Sequence, residues 1–233
     1  MVRRLWAVLA TLVLLAWPSG SQAGDVFTGY QIDNKGEYFS YLGVRAPLFM
    51  LSGNTTLFSQ LTTAALGYNN KSGNQILNAN VQFLVPSVGI SQTVGSWTLS
   101  ALAGPQLRRI EEQRVNAGAS IDHQIGAYGQ VEALYWHEQG SLHAIVSYAD
   151  LDNFFWSRVR GKLLTYSPEQ SCCRVYLGWD AAAMGNADFK AVQTGPLVEV
   201  PVGKVFLLAK GGYQNSSSFH SGGYGGIEIY FGF

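Results

Sequence analysis

The residues best equipped for chemistry stand in one short segment, where Trp156, Arg158, Arg160 and Lys162 occupy every second position. In a strand, alternate side chains point to one face. This spacing therefore stacks an indole and three cations in one column. Glu132, Asp180, Glu199 and Glu228, with the further cation Lys210, each fall on the polar side of their own segments. Two kinds of chemistry suit such a set. The charges can neutralise one another as a structural plug of ion pairs. Alternatively, they can line a narrow polar passage or a ligand site, with donors flanking the Trp156 ring. That second arrangement suits sugars, whose C–H faces are apolar and whose hydroxyls need partners.

Other chemistry finds less to work with. His123 and His143 lie in predicted strands, and Ser147 follows His143 by four. A nucleophile and its base must lie within hydrogen-bond reach, and nothing in the spacing demands that. There is no GxSxG, so no catalytic residue and no enzyme activity are expected. Cys172 and Cys173 are adjacent, without a CxxC or a nearby His. They read as two small residues at a strand start or as a vicinal disulfide in an oxidising compartment, and not as metal ligands. No Gly-rich loop follows a strand and opens a helix, so no nucleotide cofactor is expected.

The elements that must position these residues are strands. Segments of alternating polarity, separated by turn chemistry, fall at about 26–32, 37–50, 55–68, 77–85, 96–106, 121–136, 141–149, 154–166, 174–184, 189–200 and 205–214, before a closing segment. In the fourth, Leu77, Ala79, Val81, Phe83 and Val85 share one face, while Asn78, Asn80 and Gln82 share the other. The closing segment carries Ile227, Ile229, Phe231 and a last Phe233 on one face. Residues 108–120 read as a charged loop and 86–95 as a longish turn. The count is about twelve strands, with ten as the alternative.

Composition says what those strands face. Charged residues make up 13% of the chain, against about 25% in typical soluble domains. Glycine and aromatic residues are plentiful, and no segment after Trp17 approaches a membrane-spanning helix. This combination predicts an antiparallel, up-and-down transmembrane β-barrel of the bacterial outer membrane, with an outer face toward lipid. Trp136, Trp156 and Trp179 fit either an aromatic girdle or the lumen. A cation facing lipid at mid-membrane costs about 2–4 kcal/mol, so the Arg158–Arg160–Lys162 face is expected to point inward. The formal net charge of zero excludes the basic surplus of a nucleic-acid binder.

Residues 1–23 read as a secretory signal. Arg3 and Arg4 precede an apolar run from Leu5 to Trp17, and the small residues Ser21 and Ala23 stand at minus three and minus one. The run is shorter than the roughly 20 residues a spanning helix needs. The mature chain is expected to begin at Gly24, with 24–233 forming one barrel domain.

The second half also resembles a known family. Phe155-Trp156-Ser157-Arg158-Val159-Arg160 is followed by Leu177-Gly178-Trp179-Asp180-Ala181-Ala182-Ala183-Met184-Gly185-Asn186, then by Gly195, Gly211-Gly212-Tyr213 and Tyr224-Gly225-Gly226. This series is similar to the cellulose biosynthesis protein BcsS family, encoded beside bacterial cellulose synthases. That family shows an aromatic-Trp-Ser-Arg strand, a Gly-Pro-Glu-Ala strand leading to Gly-Asn, and a closing Tyr-Gly strand. Gly-Trp-Asp-Ala stands here in place of Gly-Pro-Glu-Ala, with the acid kept as Asp180. Gly104-Pro105 matches the family's Gly-Pro after a central strand. The resemblance implies an accessory, non-catalytic role in making or exporting cellulose or another exopolysaccharide. Its implied partners are outer-membrane lipid, a glucan, and the cellulose-synthase or export machinery. It supplies no catalytic residues. A general small porin or surface-adhesion barrel, and a barrel enzyme acting on lipid or polysaccharide, are the alternatives.

Overall fold

The computed structural model describes residues 24–72, 75–114, 117–167, 174–217 and 221–233. The expected signal segment and Cys172-Cys173 lie outside the described residues. Twelve antiparallel strands close into one barrel. They are β1 (Asp25–Asp33), β2 (Tyr38–Ser52), β3 (Thr55–Ser72), β4 (Gln75–Val94), β5 (Trp97–Arg114), β6 (Ala117–His137), β7 (Gly140–Ala149), β8 (Phe154–Tyr166), β9 (Val175–Gly185), β10 (Lys190–Val202), β11 (Val205–Ser216) and β12 (Gly222–Gly232). Each strand pairs with its sequence neighbours, and β1 pairs with β12 from Asp25↔Gly232 to Asp33↔Tyr224. Phe233 extends that seam through two backbone bonds with Gly24, at 2.8 and 2.9 Å.

The two rims differ. Four of the five connections at the rim bearing β1's start and β12's end are two residues long, at 53–54, 95–96, 138–139 and 203–204, and the fifth spans 167–174. At the far rim, β3 to β6 run well past their neighbours. The β2–β3 ladder stops at Tyr38↔Gly67, and the β6–β7 ladder stops at Tyr128↔Ala149. Beyond those points the four strands pair only with one another among the described residues. Along β6 this extension runs about 35 Å, at roughly 3.3 Å per residue. A short 3-10 turn at Leu151–Asn153 braces its base. Asp150 accepts from the Ala127 N–H at 2.7 Å, and Asp152 bridges Arg108 at 2.6 Å.

Two expectations are corrected here. Residues 108–120 are mostly strand: β5 continues to Arg114 and β6 begins at Ala117. Their charges fall on both faces, and a strand past the apolar boundary has no reason to stop at a charge. Residues 86–95 are not a turn either, because β4 runs through them to Val94. Pro86, which has no N–H to donate, sits where pairing to β5 lapses between Leu84↔Leu107 and Val88↔Ala103. Across this lapse a Cβ on Gly104 would come within 2.0 Å of the Pro86 carbonyl oxygen.

The outer surface marks its own apolar boundary. Leu84, Leu107 and Ile125 form one row across β4, β5 and β6, all exposed. One step toward the far rim, the row reads Gln82, Arg109 and His123. Below this line exposed apolar residues dominate, among them Val88, Ile90, Leu99, Val131, Val146, Val159, Leu177, Val192 and Ile227. An apolar belt of this extent is what a bilayer covers. On β4 the inner face is apolar too, with Ala79, Val81 and Val85 buried.

Two outcomes follow. Gly104→Val puts side-chain atoms into the Pro86 backbone, so the variant should lose the fast-migrating unheated band that a closed barrel gives on detergent gels. At the far rim, Asp33 Oδ1 accepts from the N–H groups of Lys35 and Glu37, at 2.8 and 2.9 Å. Burial, and after it the Asp33 carboxylate, push the Glu37 carboxyl from its ordinary 4.5 up to about 7. The folded chain therefore holds a proton that the unfolded chain releases, and this contribution to stability falls as pH rises from about 4.5 to 7. Unfolding temperatures across that window should decline less for Glu37→Gln than for wild type.

Candidate functional site

The lumen collects the charges, because a strand inside the belt has only one face where a charge is tolerated. Trp156, Arg158, Arg160 and Lys162 lie on the inner face of β8, as expected. Glu132, Asp180, Glu199, Lys210 and Glu228 lie on the inner faces of β6, β9, β10, β11 and β12. The structure sorts them into three groups.

The central group spans the lumen. Arg160 Nε donates to Asp180 Oδ2 at 2.8 Å, on the adjacent strand β9. Its Nη1 and Nη2 donate to the two oxygens of Glu228, both at 2.8 Å. Glu228 belongs to β12, four strands around the wall, so this fork crosses the interior. Lys210 lies 3.1 Å from Glu228 and 3.7 Å from Asp180. Arg158 is held more loosely, at 3.6 Å from Glu228. Its guanidinium carbon stands 5.7 Å from the Trp156 ring centroid, and its Nε has no hydrogen-bond partner. The Asp180 side chain is only 1% exposed, so its charge depends on Arg160 and Lys210.

Nearer the rim with the tight turns, Lys162 pairs with Glu199. The rings of Trp136, Tyr176 and Phe206 surround its ammonium, with centroids at 5.1, 5.4 and 5.7 Å. Ring faces attract a cation, so this lysine is held by a carboxylate and an aromatic box together.

The third group contains residues absent from the sequence-derived set. Arg45 on β2 donates to Glu132 at 2.7 Å and to Gln60 at 2.8 Å, and lies 4.6 Å over the Phe58 ring. Gln130 donates to the same Glu132 oxygen at 2.5 Å. Arg45 was detectable from sequence: it sits between Val44 and Ala46 in a belt strand, where a cation has only the inner face open to it.

Other candidates disperse. Trp136 faces the lumen, whereas Trp179 faces outward, 55% exposed, and donates to Thr194 at 2.6 Å. His123 is on the outer face, His143 on the inner. His143 and Ser147 share a face, but four residues of strand separate them by roughly 13 Å, beyond nucleophile–base reach. Among the described residues, no cluster of His, Cys, Asp or Glu could hold a metal ion.

The chemistry available to this arrangement is closure. Carboxylates and cations are matched across the lumen, and removing one partner strands the other. Breaking a buried pair costs about 3–5 kcal/mol. Arg160→Ala takes the best-placed partner from two carboxylates, leaving Asp180 only Lys210 at 3.7 Å, and should lower stability by up to that order. Arg158→Ala should cost clearly less, and Arg109→Ala, which removes an exposed pair with Glu111, under about 1 kcal/mol. Urea unfolding in detergent checks the ranking.

No family model matches the chain, and no curated protein sequence matches it. Solved structures do. The transport unit of the autotransporter AIDA-I from Escherichia coli superposes with a TM-score of 0.55 at 11% identity, covering 96% of this chain and 97% of that one. The translocator domain of the autotransporter NalP from Neisseria meningitidis gives 0.53 at 14% identity, covering 99% and 96%. The β-domain of the Bordetella autotransporter BrkA gives 0.53 at 11%, covering 91% and 98%. The likeness is one of fold: this chain has the barrel fold of outer-membrane proteins.

Proposed function

We propose that this protein is a closed, non-catalytic outer-membrane barrel that serves as an accessory in producing or exporting cellulose or a related exopolysaccharide. One observation carries the closed, scaffold-like part of the reading: Arg160 reaches across the lumen to Glu228 with both terminal nitrogens. A fork tied at both ends leaves the middle of the barrel to ion pairs, and a polymer path would have to break them. This favours the structural plug over the polar passage, and an anchoring role over conduction. The resemblance of the 154–233 region to the BcsS family supports the link to cellulose.

Orientation follows from turn length. Outer-membrane barrels keep short turns in the periplasm and their longer elements outside. The rim with the tight turns then faces the periplasm, and the extension of β3 to β6 stands over the cell surface. In this reading the barrel holds that extension in place beside the emerging glucan, and its periplasmic rim offers the export machinery a fixed point.

Two measurements test this. A clean deletion should retain less cellulose-binding dye than the parent, with recovery on complementation. Purified barrel in planar bilayers should give no steady open-channel current. Unchanged dye retention would remove the exopolysaccharide role, while a stable conductance would favour a small porin.

A further inference from the structure

The extension carries a polar pocket of ≈ 290 Å³, on the far-rim side of the apolar boundary. Its floor is one cross-strand row. Tyr38 pairs with Gly67, Gly67 with Asn80, and Asn80 with Glu111. This row lies two steps beyond Leu84 and Leu107, toward the far rim, and runs on to the exposed Ile121. Asn78 and Gln113, both exposed, pair in the row above, and Gly36, Tyr68 and Ala79 complete the lining.

The glycine shapes the site. A Cβ on Gly67 would approach Tyr38 Cε1 to 2.2 Å, so the missing side chain is what lets the Tyr38 ring lie across β3. There its hydroxyl accepts from Asn80 Nδ2 at 3.1 Å. Tyr30 stacks behind it, with centroids 6.3 Å apart and planes at 20°. The other end of the Asn80 amide, Oδ1, is buried without a hydrogen-bond partner. An unpaired buried acceptor costs about 1–3 kcal/mol, which a donor entering the pocket would recover.

The lining selects a class of ligand. Side-chain amides of Asn78, Asn80 and Gln113 both donate and accept, and the Glu111 carboxylate accepts. The tyrosine ring offers an apolar plane edged by polar groups. Hydroxyl-rich rings with apolar C–H faces match that combination. A phosphate does not, because the neighbouring cation Arg109 is already bridged to Glu111 at 3.0 Å. We propose that this pocket binds a saccharide. At its height above the belt, the sugar can come from the core of lipopolysaccharide in the same leaflet or from a glucan outside the cell. The inference does not rest on the exopolysaccharide reading, since a lipopolysaccharide ligand would leave it standing with that reading gone.

Calorimetric titration of the intact detergent-solubilised barrel tests the pocket, using cellotetraose and dephosphorylated lipopolysaccharide core oligosaccharide as separate probes. At least one should bind. The double variant Asn80→Ala/Glu111→Gln should weaken binding at least tenfold while keeping the fast-migrating unheated band. Tyr38→Phe, which removes only the hydroxyl, is a second variant if the double one fails to fold, and should weaken binding severalfold. Binding of the core oligosaccharide alone assigns the site to the membrane's own lipid, and binding of cellotetraose alone to a glucan. Binding of neither probe, or undiminished binding by a folded variant, overturns the proposal.

Discussion

A charge carried into a bilayer on a β-strand can face only the lumen, and once there it must meet its opposite. Much of this barrel's interior follows from that constraint. The three cations of β8 share a face because their spacing is even. They face inward because lipid would penalise each by about 2–4 kcal/mol. Once inside they draw carboxylates from strands on both sides of the wall, Asp180 next door and Glu228 across the interior. Ion pairing across the lumen is thus a by-product of solvation.

The same constraint relaxes where the bilayer ends, and the strands record the change. On β4 the outward residues switch from Leu84 to Gln82, and on β5 from Leu107 to Arg109. The inner face of β4 moves the opposite way, with Val81 and Val85 buried. A strand can therefore leave the membrane without ending, provided its outer face changes polarity. That is how β3 to β6 become a sheet standing clear of the belt, and why a polar row such as Tyr38, Asn80 and Glu111 can face sideways there.

Sequence patterning disclosed a large part of this. Alternation located the strands, and β8 emerged with the bounds 154–166 that the structure has. The even spacing of Arg158, Arg160 and Lys162 was enough to turn them inward, with Glu132, Asp180, Glu199, Lys210 and Glu228. Which cation meets which carboxylate was not legible, because Arg160 and Glu228 lie 68 residues apart and only closure brings them together. Arg45 was passed over because it stands alone in an apolar run. The segments at 86–95 and 108–120 misled for a related reason. Proline and charge are local turn signals, but Pro86 falls where the ladder to β5 lapses while that to β3 continues, and the charges of 108–114 lie past the apolar boundary on a strand paired on both sides. The pocket was out of reach, since its floor joins four strands at one level and rests on a glycine whose importance lies in what it leaves empty.

The seam between β1 and β12 has a kinetic consequence. Every other ladder joins consecutive strands, so each can form as a hairpin across a few residues. The seam must bring Asp25 to Gly232. Loop-closure entropy grows only with the logarithm of length, yet a loop of some 200 residues costs about 5 kcal/mol, against about 1 for a hairpin of a few residues. Assembly therefore contains one expensive step among many cheap ones. Glu228 sits on the strand that must make it, and Arg160 on a strand that hairpins have already placed. The ion pair across the lumen therefore forms only as the seam closes, and it then holds β12 against the opposite wall. The charges that span the lumen thus also help to keep its one long-range seam closed.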